Sequence, residues 1–292
     1  MTPAPPRPFR LCLVGAGRAG TAIAAALRGA GHEVVAVSSR TEASAAAAAD
    51  RLGAPIVAVP DLPVCDVVLL GVPESALEPV AVQVAPRLSP GAVVWHLAGS
   101  AGVGPLAAVR ASGGLRCALH PVQAFPDPDA GLARLQGSAW GLTCDDEVRA
   151  WAGTVATEDL GGRVFELREE DRPVWHAAAV TAASGAVAIM SLGERLLESI
   201  EVGAAGAVLG PLAAAAVDNA ADRGATDSLT GPAVRGEWAT VTAHVKALEE
   251  RAPELVAPYR EATRLIFRAA ARAGKVTPAA SRAAAAVLGE DA

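Results

Sequence analysis

Between Arg10 and Leu167 short apolar runs alternate with longer stretches of helical periodicity. The runs Arg10–Val14, Glu33–Ser38, Asp66–Leu70, Ala92–His96, Cys117–His120, Ala139–Thr143 and Arg163–Glu166 read as strands. Helices are predicted near Ala19–Leu27, Glu42–Leu52, Ser75–Leu88 and Glu147–Thr157. Thr41 and Asp145 stand where N-caps belong, and Gly53 follows the second helix as a stop. Strand–helix–strand alternation of this length predicts an α/β fold with a doubly wound, mostly parallel sheet.

After Leu167 the strand pattern stops. Trp175–Leu197, Ala205–Ala221, Glu237–Glu250, Glu254–Ala273 and Pro278–Leu288 read as helices. Pro258 should kink the fourth or delay its start. Thr277 as N-cap with Pro278 at the first helical position marks the start of the last. The expected organisation is a dinucleotide-binding domain over residues 1–167 and an all-helical domain over residues 168–292.

Composition narrows the class. Of 292 residues 52% are apolar, but only 3% are aromatic. Alanine dominates, which suits closely packed helices. The net charge is -6 with no basic stripe, which argues against nucleic acid or an anionic membrane as partner. Cys12, Cys65, Cys117 and Cys144 form no C-x-x-C pair and read as buried thiols, so no metal is expected. The opening MTPAPPRPFR has no apolar core of a signal peptide and reads as a loose arm. Ala177–Leu192 and Ala204–Val217 are apolar but broken by Thr181, Ser184 and Pro211, and read as too short for a membrane span. These features together predict a soluble protein of the reducing cytoplasm. The Ala- and Gly-rich helices leave more apolar face than one small domain covers, so a homodimer built by the second domain is expected.

The chemistry begins at Leu11–Thr21, LCLVGAGRAGT. A strand leads into Gly15, Gly17 and Gly20 at G-x-G-x-x-G spacing, and a helix follows. In that context Gly15 permits the tight turn, Gly17 admits a pyrophosphate and Gly20 lets helix and strand pack closely. Arg18 and Ala19 open the helix whose N-terminus faces the phosphates. An NAD site usually carries an acid about 20 residues on. Here Ser38, Ser39 and Arg40 stand at the end of the second strand, and a guanidinium suits the 2′-phosphate of NADP(H).

His120, in ALHPVQAF, ends a strand and stands with Gln123 where ligands of open sheets bind; His96, in VVWHLAGS, ends another and reads as a hydrogen-bonded turn residue. His176, in PVWHAAAVTAAS, opens the second domain and is either a satisfied helix histidine or a proton donor; histidines ordinarily titrate near ~6.5. In SLTGPAVRGEWATVTAH, Arg235 lies between a turn with Thr230 and a helix whose core stripe is Trp238, Val241, Val245 and Leu248. It is placed either to meet a substrate carboxylate or to bridge a neighbouring loop.

LVGAGRAG, HLAGS, HPVQAF, WHAAAVTAAS and LTGPAVRG, in this order, resemble the Rossmann-like proteins that carry the C-terminal domain of unknown function DUF2520. The resemblance spans nearly the whole chain. It implies a relative of ketopantoate reductase and pyrroline-carboxylate reductase, with a helical domain that builds a dimer. Ala124 and Ser184 depart from the hydroxylated residue and the Asn frequent in such relatives, so substrate contacts there differ. The leading expectation is an NADP-dependent oxidoreductase reducing a small 2-oxo acid, ketopantoate first. The alternatives are a cyclic imine reductase and a silent NADP-binding sensor.

Overall fold

A computed structural model describes residues 5–289. The first four residues of the Pro-rich opening lie outside the described residues. The rest of that arm is tied down rather than loose: Arg7 pairs with Glu158 and Asp159, and the buried Phe9 stacks on His32 at 3.6 Å. His32 is a structural residue, accepting from Phe9 N through Nδ1 at 3.2 Å and facing Asp159 through Nε2 at 3.0 Å.

Along the first strand, Leu11 and Leu13 join one buried cluster while Cys12 and Val14 join another, so the sheet is covered on both faces. Its elements run β1 (Arg10–Val14), α1 (Arg18–Gly29), β2 (Glu33–Ser38), α2 (Glu42–Leu52), β3 (Val67–Leu70), α3 (Leu77–Val84), β4 (Val93–His96), α4 (Ala107–Ala111), β5 (Leu115–Val122), α5 (Pro128–Ala133), β6 (Ala139–Cys144), α6 (Arg149–Thr154), β7 (Arg163–Glu166) and α7 (Arg172–Val180). The strand order is β2-β1-β3-β4-β5-β6-β7. All neighbours are parallel except β5 with β6.

β1, β2, α2 and β7 keep their expected bounds. The Thr41 hydroxyl caps α2, and Gly53 ends it at φ 64°. The short α4 and α5 carry too few turns for periodicity to reveal them. Asp145 does not cap the helix after β6 with its side chain. Its carboxylate accepts from Arg116 N at 2.8 Å and from the Arg116 guanidinium at 2.7 Å, a charge-assisted pairing that outcompetes a cap. The cysteines, distant in sequence, meet in space: Cys12 and Cys65 share one buried cluster, and Cys117 lies opposite Cys144, all four as free thiols.

The chain divides into two compact units after Val180, not after Leu167. The reason is that Arg172, Trp175 and His176 of α7 take their partners from the sheet. The second unit is helical among the described residues: α8 (Ala186–Glu198), α9 (Ala205–Arg223), α10 (Ala225–Ser228), α11 (Pro232–Arg235), α12 (Trp238–Arg251), α13 (Val256–Arg272) and α14 (Pro278–Leu288). Pro258 falls in the first turn of α13, where no amide is needed, and delays its start to Val256. Thr277 caps α14 by accepting from Ala280 N at 3.2 Å. Trp238 and Val241 of the expected stripe pack with Phe267, Ala284 and Leu288. The helix that contains Ala177–Leu192 is longer than the apolar stretch itself. The helical run Glu169–Glu198, interrupted only in hydrogen-bond pattern at Thr181–Gly185, has 30 residues, and its most apolar 18-residue window has mean hydropathy 1.4, long and apolar enough to cross a membrane by length and composition only.

Candidate active site

The register of β2, β1, β3, β4 and β5 aligns Ser38, Val14, Leu70, His96 and Ala118 in one row, so the chain leaves the first four along a common edge, while β5 runs on past it through His120 to Val122. β2 and β3 flank β1 on opposite sides, which makes the β1–β3 boundary the point where connections diverge and ligands of such sheets bind.

The three glycines after β1 divide their labour. Gly15 adopts φ 91°, and a Cβ there would stand 2.6 Å from Val72 Cγ1 and 2.7 Å from the Gly71 carbonyl carbon. A Cβ on Gly20 would stand 2.9 Å from Gly15 O and 3.2 Å from Gly71 Cα. Both are therefore required by packing against Gly71, the first residue after β3, which the motif does not include. Gly17 differs: a Cβ would meet only Gly71 O, at an ordinary 3.4 Å. Nothing in the chain requires glycine there. Gly17 precedes α1 without a side-chain cap, and the first turn of α1 carries no acid, so the amides of Arg18, Ala19 and Gly20 keep their pull on an anion.

A cavity of about 510 Å³ opens here, lined by Gly15, Gly17, Ser38, Ser39, Arg40 and Gly71, and also by Thr41 and Ser44. Ser38 is buried, whereas Arg40 is exposed and has no hydrogen bond or ion pair among the described residues. Thr41 and Ser44 escape a search for binding residues because their hydroxyls also serve the start of α2, joined at 2.8 Å. Arg18 reaches sideways to Pro126 O at 3.1 Å.

Further along the edge, at β4 and β5, lies a second cluster. The Trp175 indole donates Nε1–H to Nδ1 of His120 at 3.1 Å. The His120 and His176 rings stand nearly perpendicular, 5.8 Å apart. Gly99, just past β4, makes their room: a Cβ there would stand 2.5 Å from His176 Cδ2 and 2.9 Å from His120 Nε2. Beneath them Arg172 is fully buried. It donates to the carbonyls of Ala98 at 2.9 Å, Ala118 at 3.3 Å and Gly141 at 3.4 Å, and to Thr143 Oγ1 at 3.1 Å. No carboxylate pairs with it among the described residues, so its charge is left to act on its neighbours. Burial, then the charges of Arg172 and His176, push His120 down to about 4. His96 is likewise pushed down to about 4 by burial. Its Nε2 donates to Gly102 O at 2.8 Å and its Nδ1 accepts from Ala98 N at 3.2 Å, the bonds of a structural turn residue.

Gln123 does not join this cluster. It is spent on its own loop: Nε2 donates to Arg134 O at 2.9 Å and Ser138 Oγ at 3.2 Å, and Oε1 accepts from Ala124 N. Arg235 and Thr230 belong to the second unit. The Arg235 fork grips Glu237, two residues on, at 2.7 and 3.0 Å, and Thr230 Oγ1 accepts from it at 3.4 Å. Arg172, Trp175 and Gly99 are missed by sequence reasoning. Gly99 and Trp175 lie inside the motifs HLAGS and PVWHAAA, while an arginine opening a helix gives no sign of burial.

Residues 4–121 match the Rossmann-like domain family, and residues 138–266 match DUF2520, a domain of unknown function. No curated protein matches the chain. Among solved structures it is similar to a Bacteroides fragilis protein provisionally named an NADP oxidoreductase, with 22% identity, 89% of this chain and 98% of that one covered and a TM-score of 0.75. It is similar to an Aspergillus terreus reductive aminase solved with NADPH and ethyl levulinate, at 16% identity, 90% and 94% coverage and a TM-score of 0.64. A Plasmodium falciparum pyrroline carboxylate reductase with NADP bound follows at 14% identity, 96% and 98% coverage and a TM-score of 0.61. The DUF2520 match begins ahead of β6, so it takes in the last two strands as well as the helices. The chain thus carries a Rossmann-like domain followed by a DUF2520 domain.

Proposed function

We propose that the protein is an NADP-dependent oxidoreductase that reduces the carbonyl of a small 2-oxo acid. The observation that carries this is Gly17, a glycine that only a ligand at the glycine turn requires. Gly15, Gly17, Arg18, Ala19 and Gly20 hold the pyrophosphate at the α1 N-terminus. Ser38, Ser39 and Arg40, with Thr41 and Ser44, hold the 2′-phosphate. The likeness to structures solved with NADP and NADPH supports the same cofactor. Bound NADPH supplies a hydride to the carbonyl carbon.

The residues of the chain supply the rest. His120 offers a hydrogen bond to the carbonyl oxygen, and His176 delivers the proton that turns it into a hydroxyl. The buried charge of Arg172 favours the negative charge that grows on that oxygen. In the second unit, Arg235 beside Thr230 is the residue we assign to a carboxylate, since its guanidinium fork matches two oxygens and an exposed pair such as Arg235–Glu237 exchanges partners at little cost. Ketopantoate is the first substrate to assay. Reduction of a cyclic imine is the second reading, supported by the likeness to pyrroline carboxylate reductase and the reductive aminase. The assembly we propose is a homodimer in the cytoplasm, where its four thiols stay reduced.

The test is loss of NADPH absorbance against a panel of 2-oxo acids and cyclic imines. Turnover of a 2-oxo acid, lowered about 10²–10⁴-fold in His176→Ala, is the expected result. Arg235→Ala should chiefly raise KM. Binding of NADPH with no turnover on any carbonyl or imine overturns the enzyme reading in favour of a sensor.

A further inference from the structure

Gly141 of β6 stands directly opposite His120 of β5. A Cβ on Gly141 would lie 2.8 Å from the indole Nε1 of Trp175 and 2.8 Å from Leu167 Cδ1. The missing side chain is what lets the indole reach the imidazole at 3.1 Å. Tryptophan can only donate, so Nδ1 of His120 must accept, and the single proton of the neutral ring is forced to Nε2. Nε2 is the atom that faces the space over Gly99 beside His176.

We propose that Trp175 is a positioning residue that locks His120 as the Nε2–H tautomer, giving the site a fixed neutral donor matched to a carbonyl oxygen and mismatched to a protonated imine. This rests on the reductase reading above and narrows its substrate class. A carbonyl oxygen accepts the Nε2–H bond. A protonated imine carries its own N–H, so two donors would face each other, close to the buried Arg172 charge. The groups that face His120 keep it neutral: Arg172 and His176 on α7 and His96 on β4 all oppose a second proton, and burial opposes it most. A second proton would also break the indole bond, because Nδ1 would become a donor facing a donor.

The experiment is nitrogen-15 NMR of histidine-labelled full-length protein, which reads ring tautomers without any substrate. His120 is expected to carry hydrogen at Nε2 alone from pH ~5.5 to ~8. Hydrogen at Nδ1, or at both nitrogens near neutrality, overturns the proposal. In Trp175→Phe, which keeps an aromatic ring, His120 should exchange between tautomers; a retained single Nε2–H form overturns the role of Trp175. On a 2-oxo acid, Trp175→Phe should lower kcat about 3- to 10-fold with the KM for NADPH unchanged, the worth of one neutral hydrogen bond. His120→Gln keeps a donor near Nε2 and should retain at least about tenfold more kcat than His120→Asn, whose amide sits near Nδ1. Equal loss in the two variants, or a higher kcat/KM on a cyclic imine than on a 2-oxo acid of similar size, overturns the match to a carbonyl. If no substrate of either class turns over, the reductase reading fails and the NMR result still decides the tautomer lock.

Discussion

Arg40 carries the choice between the two dinucleotides. It stands exposed, with no ion pair among the described residues, just past the end of β2, where an acid would instead select the unphosphorylated ribose. A charge-assisted bond to the 2′-phosphate should make NADPH bind about 10- to 100-fold more tightly than NADH. Titration of Arg40→Ala should show most of that preference gone; equal affinities in the wild-type protein would sink the assignment.

The same scale holds a pH prediction. His96 is held neutral by burial, its folded value about 4 against about 6.5 in the unfolded chain. Between these values the unfolded state binds the extra proton, so stability is full above pH ~6.5 and declines as pH falls toward ~4. Urea midpoints measured at pH ~7 and ~5 should therefore differ, by less in His96→Gln than in the wild-type protein. The same slope in both would show that His96 contributes nothing to it.

At the scale of elements, the β1–α1 turn separates packing from binding. Gly20→Ala gains helix propensity but drives a Cβ into the Gly15 and Gly71 backbone, which has no rotamer to yield, and should lose about 1–3 kcal/mol of stability. Gly17→Ala meets no such wall and should cost within about 1 kcal/mol, the scale of a cap exchange, while weakening NADPH binding at least about tenfold. Thermal melts with and without NADPH separate the two. A Gly17→Ala protein that binds NADPH normally would remove the main support for the cofactor site.

For the whole molecule the telling feature is apolar surface. Val187 and Ile189 of α8, Val208, Leu212 and Val217 of α9 and Leu265 of α13 are each more than half exposed in the single chain. Scattered exposed valines are ordinary, but so many on neighbouring helices form a face that water does not favour. Covering it with the same face of a second copy gives a two-fold dimer. Light scattering at micromolar concentration should return twice the chain mass, and Leu212→Glu should shift it toward the monomer. A wild-type monomer overturns the dimer; binding of that monomer to lipid vesicles would assign the face to a membrane instead.

The chain by itself determined the order of elements, because strands and helices impose local periods that survive any packing: β1, β2, α2 and β7 lie where their patterns end. It also determined the glycine turn, whose demand for a positive φ at Gly15 is local. Tertiary structure alone decided what depends on partners far along the chain. Gly71 and Gly99 matter because of what lies against them, the glycine turn in one case and two imidazoles in the other. Arg172 reads as a solvated charge until the sheet surrounds it with four oxygens. Gln123, a polar residue in a suggestive motif, was claimed by Arg134 and Ser138, since a hydrogen-bonding group takes the partner that folding brings to it. The place where the first unit ends was set the same way, by Arg172, Trp175 and His176 of α7 taking partners from the sheet.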